Sequence, residues 1–230
     1  MKKSSIATLL VLVLLIPATL YLGTKLPGRS YYLTGTLIII ELMIPFFMAF
    51  EGRRPQAREL VLIAVMCALA IAGRVAIPIP HFKAIYAVIM ISGVAFGPQA
   101  GFMVGAIAAF GSNFFYSQGA YTPWQMISYG AAGLIFGVAF GKGRLPVRSW
   151  LMAVLSFLTV VLIVGPILDS MSIFLGFAKL NKDVFRFVFL PGLGVNITQG
   201  LCTAAMMLIF GKPLLAILNR IQRKYGIFGE

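Results

Sequence analysis

Long apolar runs recur along this chain, and they limit its fold more than any other feature. Eight can be read, roughly Ile6–Leu22, Tyr31–Phe50, Glu59–Ile77, Ala84–Phe96, Ala100–Tyr116, Trp124–Gly141, Ser149–Leu168 and Leu193–Gly211. A helix needs about 20 apolar residues to cross the hydrocarbon of a bilayer. The expectation is therefore an all-α, polytopic membrane bundle. Charged residues are 11% of the chain and hydrophobic ones 60%, whereas a soluble domain carries about 25% charge. No polar segment is long enough to enclose a core of its own, which excludes a separate soluble domain.

The fourth run is short. The turn "FGPQAG", Phe96 to Gly101, divides it from the fifth, because Pro98 and the two glycines break a helix there. Charge decides that these are two spans rather than one. With eight spans and the N-terminus inside, the inner segments hold 12 of the 19 cations, including Arg53, Arg54, Arg58, Lys142, Arg144, Arg148 and Lys212, Arg220, Arg223 and Lys224. The outer segments hold the other 7: Lys25, Arg29, Arg74, Lys83, Lys179, Lys182 and Arg186. Merging the two runs would place "GKGRLPVR" and the basic tail outside, against the positive-inside rule. Both termini are thus expected in the cytoplasm. The net charge of +13 follows from this topology, and no nucleic-acid partner is expected.

Lys2 and Lys3 precede the first run as they would in a signal peptide, but no clear A-x-A site follows. The run reads as a membrane helix kinked at Pro17. Three parts are expected. Residues 1–56 form a helix pair and the basic hinge "EGRRPQAR". Residues 57–211 form a six-span core, and residues 212–230 form a basic cytoplasmic tail.

Polar groups that enter the membrane region carry most of the functional signal. Three outer segments stand out: "GRVAIPIPHFK" with Arg74, His81 and Lys83; "SNFFYSQGAYTPWQ"; and the long stretch from Asp169 to Gly192. They predict a binding site that opens outward, lined by Asn113, Tyr116, Tyr121, Trp124, Gln125 and Tyr129, by Asn196 and Gln199 from the last span, and by His81 and Lys83. Amides and phenols orient a ligand by hydrogen bonds while aromatic faces cover its apolar parts. The same aromatics also suit an interfacial belt, and Asn196 and Gln199 also suit bonds between helices. Lys83, Arg74 or Arg186 facing the site would favour an anionic ligand.

No catalytic constellation, zinc pattern or phosphate loop is present, and no cofactor or metal is expected. Cys67 and Cys202 read as small buried hydrophobes. Glu41, mid-span in "LIIIELMIPFF", reads as a protonated or paired residue facing a neighbouring helix, with a coupling carboxylate as the alternative.

Within "ELVLIAVMCALAIAG", Ala64, Ala68 and Ala72 lie four apart. They share one helix face over about 12 Å and make a smooth strip on which another helix can pack closely. This ladder resembles that of the substrate-binding S components of energy-coupling factor (ECF) transporters. "FKAIYAVIMISGVAFGPQAGFMVGAIAAFGSNFF" and "GAYTPWQMISYGAAGLIFG" are similar to that family's second to fourth spans, and the likeness covers about Arg58 to Gly211. The family pattern is six spans with both termini inside, so the N-terminal helix pair is an addition to it. The resemblance implies a vitamin-uptake subunit of an ABC-type importer in a prokaryotic cell membrane. Its partners would be the lipid bilayer, a transmembrane T subunit docked on the ladder, and two cytoplasmic ATPases. The chain itself would not be an enzyme. The sequence looks most like members assigned to cobalamin or cobinamide, and a site rich in neutral amides suits such a ligand. Pantothenate, folate or a queuosine precursor are alternative substrates, and a stand-alone secondary transporter is the alternative function.

Overall fold

The computed structural model describes residues 10–25, 30–52, 55–76, 79–176 and 182–227. The expectations for Ile6, Arg29, Arg53, Arg54, Ile77 and Lys179 lie outside these residues. The described chain is helical, with no strand among the described residues. Helix α1 is a π-turn at Val11–Leu15 running into Ile16–Lys25. Helices α2 to α6 span Ser30–Glu51, Ala57–Val75, Ile85–Phe96, Pro98–Tyr116 and Thr122–Phe140. Helix α7 is made of Ser149–Thr159, a π-turn at Val160–Val164 and Gly165–Gly176, and α8 runs from Lys182 to Tyr225.

Both π-turns stand just before a proline, Pro17 in α1 and Pro166 in α7. A proline inside a helix lacks its N–H, and its ring collides with the carbonyl four residues back. The widened turn relieves that collision without ending the helix. In α7 the Val164 carbonyl accepts a hydrogen bond from the Ser128 hydroxyl at 3.1 Å.

Length and composition fit α7, over Ser149–Phe174, and α8 for crossing a membrane. Helix α3 carries Arg58, Glu59 and Arg74 within its 19 residues, and α4 has only 12. The described residues establish a helical bundle with two clear spans and leave the six-plus-two count to the sequence pattern.

The expected boundaries of the last two runs are corrected. The seventh run continues as helix from Leu168 to Gly176, and the last begins at Lys182 rather than Leu193. The expected long connection from Asp169 to Gly192 is thus mostly helix. Asp183 in the first turn of α8 suits the positive helix end, and Pro191 is absorbed within the helix. At the other end α8 passes Gly211 and reaches Tyr225. At about 1.5 Å per residue, its 44 residues span some 66 Å, more than the hydrocarbon thickness. This last stretch packs on the bundle: Leu215 and Leu218 are buried, and the Gln222 amide donates to the Ala95 carbonyl at 2.8 Å.

The centre of the bundle is α4, α5 and α6. Ile85 to Gly93 of α4 are buried without interruption, so this short helix is walled by protein rather than lipid. Gly97, with φ of 90°, makes the turn into α5, where Pro98 occupies the first turn. Gly93, Gly101 and Gly133 bring the three backbones together. A Cβ on Gly133 would overlap the Gly101 carbonyl, and one on Gly93 would overlap the Gly133 carbonyl. Gly133→Val is therefore expected to cost about 3 kcal/mol through overpacking against backbone. Gly141→Ala, where a Cβ meets nothing within 4 Å, is the matched control. Thermal unfolding of the two variants in one detergent compares them.

The N-terminal pair packs beside the core. Phe46 of α2 stacks on Phe102 of α5 at 4.3 Å, Phe47 meets the same ring edge-on at 6.3 Å, and Met43 packs on Ala106. Glu41 is buried and accepts a hydrogen bond from the Thr19 hydroxyl of α1 at 2.5 Å. That bond supplies the partner the sequence could not name.

Candidate functional site

One end of the bundle collects the C-terminal ends of α3, α5 and α7 and the N-terminal ends of α4, α6 and α8. Most of the polar residues expected to bind ligand lie here. Asn113, in the last turn of α5, is fully buried and forms the hub. Its carbonyl accepts from Arg74 at 2.9 Å, and its amide donates to the Thr122 hydroxyl at 3.1 Å and to the Gln125 carbonyl at 2.7 Å. Arg74, in the last turn of α3, also donates to the Ser112 hydroxyl at 2.5 Å. Its guanidinium lies 4.9 Å from the centre of the Tyr116 ring and 5.7 Å from that of Tyr129. Tyr116 donates back to the Arg74 carbonyl at 3.1 Å. Burial in apolar surroundings makes such a network costly to break, because each partner left alone loses its hydrogen bond without regaining water.

Tyr129 meets the buried Tyr86 edge to face at 4.9 Å, which closes the floor of the cluster at the start of α4. The Lys83 ammonium stands 5.9 Å from the Tyr116 ring centre. The loop from Ser117 to Tyr121 is held by its own side chains. The Thr122 hydroxyl donates to the Gln118 carbonyl and accepts from the Gly119 N–H, and Tyr121 donates to the Ser117 carbonyl. Ser117 takes a φ of 75°, a conformation that a side-chain-bearing residue adopts only where its surroundings fix it.

On α7 and α8 the Asn196 amide donates to the Asp169 carboxylate at 2.8 Å. Gly165 makes room for Asn196 and Gly192 for Asp169, since a Cβ on either would strike that side chain. The buried carbonyl oxygen of Gln199 has no hydrogen-bond partner among the described residues.

A scan against family models matches residues 55–219 to the ECF-type riboflavin transporter, S component. That is well over half of the 230 residues. The chain belongs to this family. No curated protein and no solved structure matches it. As an S component it is a membrane protein, the substrate-specific subunit of an ECF-type transporter, and its family is one of transporter subunits rather than enzymes.

The match corrects the expected cobalamin or cobinamide specificity, because the family model is a riboflavin one. The geometry shows why the amides misled. Asn113, Gln125 and Asn196 engage one another, Thr122, Arg74 and Asp169. These bonds brace this end of the S component and leave fewer free groups than the amide count of the sequence suggests.

Of the residues expected at the site, the structure gathers Asn113, Tyr116, Gln125 and Tyr129 in one cluster, with Lys83 at its edge. Tyr121 braces the adjoining loop. His81 is exposed in the loop before α4, at φ of 60°. The Trp124 ring packs on Phe174 of α7, with ring centres 5.2 Å apart. Ser112, Thr122 and Tyr86 were absent from the expected site, and Arg74 entered only as a charge. Arg74 closes the third run, a position where a membrane helix admits a cation only with partners, and this was the available signal.

Proposed function

We propose that this S component binds riboflavin, or a closely related flavin, at the Arg74–Asn113–Gln125 cluster and delivers it for ATP-driven uptake. The family match over residues 55–219 carries this reading. The chemistry of the cluster supports it. Isoalloxazine is flat and uncharged at neutral pH, and the faces of Tyr116 and Tyr129 suit it. Its polar edge and the hydroxylated ribityl chain call for donors and acceptors of the kind Gln125, Gln199 and Lys83 offer. The positive-inside count favours an outward-facing position for this end of the bundle.

Docking on a T subunit is assigned to the ladder. Ala64, Ala68 and Ala72 are exposed on α3, while Ile63, Met66, Cys67 and Ala70 face the core. The strip therefore lies on the outside of the bundle, where a partner helix can reach it. Near Ala72 it meets an apolar groove of about 570 Å³, formed with Ala84 just before α4, Ala87 of α4, and Met206 and Phe210 of α8. A surface without interlocking side chains suits a contact that must form and release in each cycle. ATP hydrolysis belongs in this reading to the partner ATPases.

Titration of riboflavin with the purified full chain tests the substrate. The expected result is saturable quenching of flavin fluorescence at one ligand per chain, with no competition from cobinamide. Binding of cobinamide without binding of riboflavin would contradict the reading.

A further inference from the structure

The family match begins at residue 55, so helices α1 and α2 lie outside the shared core. Their contact with it is nevertheless specific at one point. Gly35 of α2 lies against Trp124 and Phe174, and a methyl group placed on it would stand 3.2 Å from the Phe174 ring and 3.3 Å from the Trp124 ring. Trp124 is 5% exposed, and its indole N–H is buried without an acceptor among the described residues. Such a donor is costly to leave unmade and is retained where a partner arrives to satisfy it. Trp124 sits in the first turn of α6, next to Gln125, which bonds to the Asn113 hub. The Phe46, Phe47 and Met43 contacts on α5 fix where α2 lies, and so where Gly35 stands.

We propose that α2 acts through Gly35 as a positioning element: it sets the place of the Trp124 indole beside the binding site and thereby tunes ligand affinity from outside the shared core. The proposal rests on the site reading above. A carbonyl-bearing ligand completes the Trp124 donor, and the absence of a side chain at Gly35 leaves the indole and Phe174 their tilted arrangement. Any larger residue at position 35 displaces one or both rings.

The test uses the full chain carrying Trp150→Phe, so that Trp124 is the one fluorescent indole. Riboflavin affinity and the Trp124 emission maximum are measured for Gly35, Gly35→Ala, Gly35→Leu, and Gly35→Leu combined with Phe174→Ala. Ile40→Ala, on the exposed face of α2, is the control. Gly35→Leu is expected to weaken binding by about tenfold or more and to shift the emission. Gly35→Ala should give a smaller change in the same direction, and Phe174→Ala should restore both readouts by making room. The alanine variant carries the test if the leucine variant does not fold. Unchanged affinity and emission in the Gly35 variants would overturn the proposal, as would a loss that Phe174→Ala does not relieve. If the unsubstituted chain does not bind riboflavin, the flavin reading fails, and the emission shifts still decide whether Gly35 positions Trp124.

Discussion

Ala68→Trp is expected to abolish ATP-driven uptake by the assembled transporter while the isolated chain still binds its ligand. Ala68 is exposed on α3, so an indole there projects outward and strains nothing within the bundle. Surface substitutions of this kind change free energies by about 0.5 kcal/mol, which is about twofold in affinity. A bulky group in the centre of a close helix contact costs far more, and a loss of about 100-fold in uptake corresponds to about 2.7 kcal/mol at the interface. The same substitution at Ala70, which is fully buried, should instead unfold the core. Comparing transport, ligand binding and unfolding temperature for the two variants separates docking from folding. Full uptake by a well-expressed Ala68→Trp chain would remove the ladder from the mechanism.

Asn113→Leu is expected to eliminate ligand binding and to destabilise the chain by about 3–5 kcal/mol. The side chain is fully buried and serves Arg74, Thr122 and Gln125 at once. Leucine fills much of the same volume but strands the Gln125 carbonyl and deprives Arg74 of one acceptor. Each buried polar group so stranded costs about 1–3 kcal/mol, more for a charged one. Asn113→Asp keeps the acceptor facing Arg74 and loses only the two donated bonds. It should therefore be intermediate in stability, with binding still impaired because Gln125 is no longer held. Thermal unfolding and riboflavin titration of both variants check this order. Equal stability of the leucine variant and the unsubstituted chain would mean that the network does not hold this end of the bundle together.

The parts legible in the sequence were those governed by local spacing. The alanines four apart fell on one exposed face because helix geometry alone places them there. The "FGPQAG" turn was legible because Pro98 and Gly97 act on their own backbone. Asn113 and Gln125 were visible as amides near the ends of apolar runs. The role of Arg74 was not, since its partners Ser112 and Asn113 lie on a different helix and only packing brings them near. The side on which Trp124 falls depends on α2 and α7, which no local pattern reports. The helical parts of the Asp169–Gly192 stretch were missed: α7 continues to Gly176, and α8 begins at Lys182 and carries Pro191 within it, whereas the apolar run taken as the last span starts only at Leu193. The substrate was misread for a related reason: amide content counts groups but does not reveal which of them are already bonded to each other.

Uptake of labelled riboflavin into vesicles that hold the chain with a T subunit and two ATPases decides whether this chain supplies flavin specificity to an ECF importer. The expected uptake requires this chain, the partner subunits and ATP together. Riboflavin uptake by the chain alone under an ion gradient, or ATP-driven uptake of cobinamide but not riboflavin by the complete assembly, would contradict it.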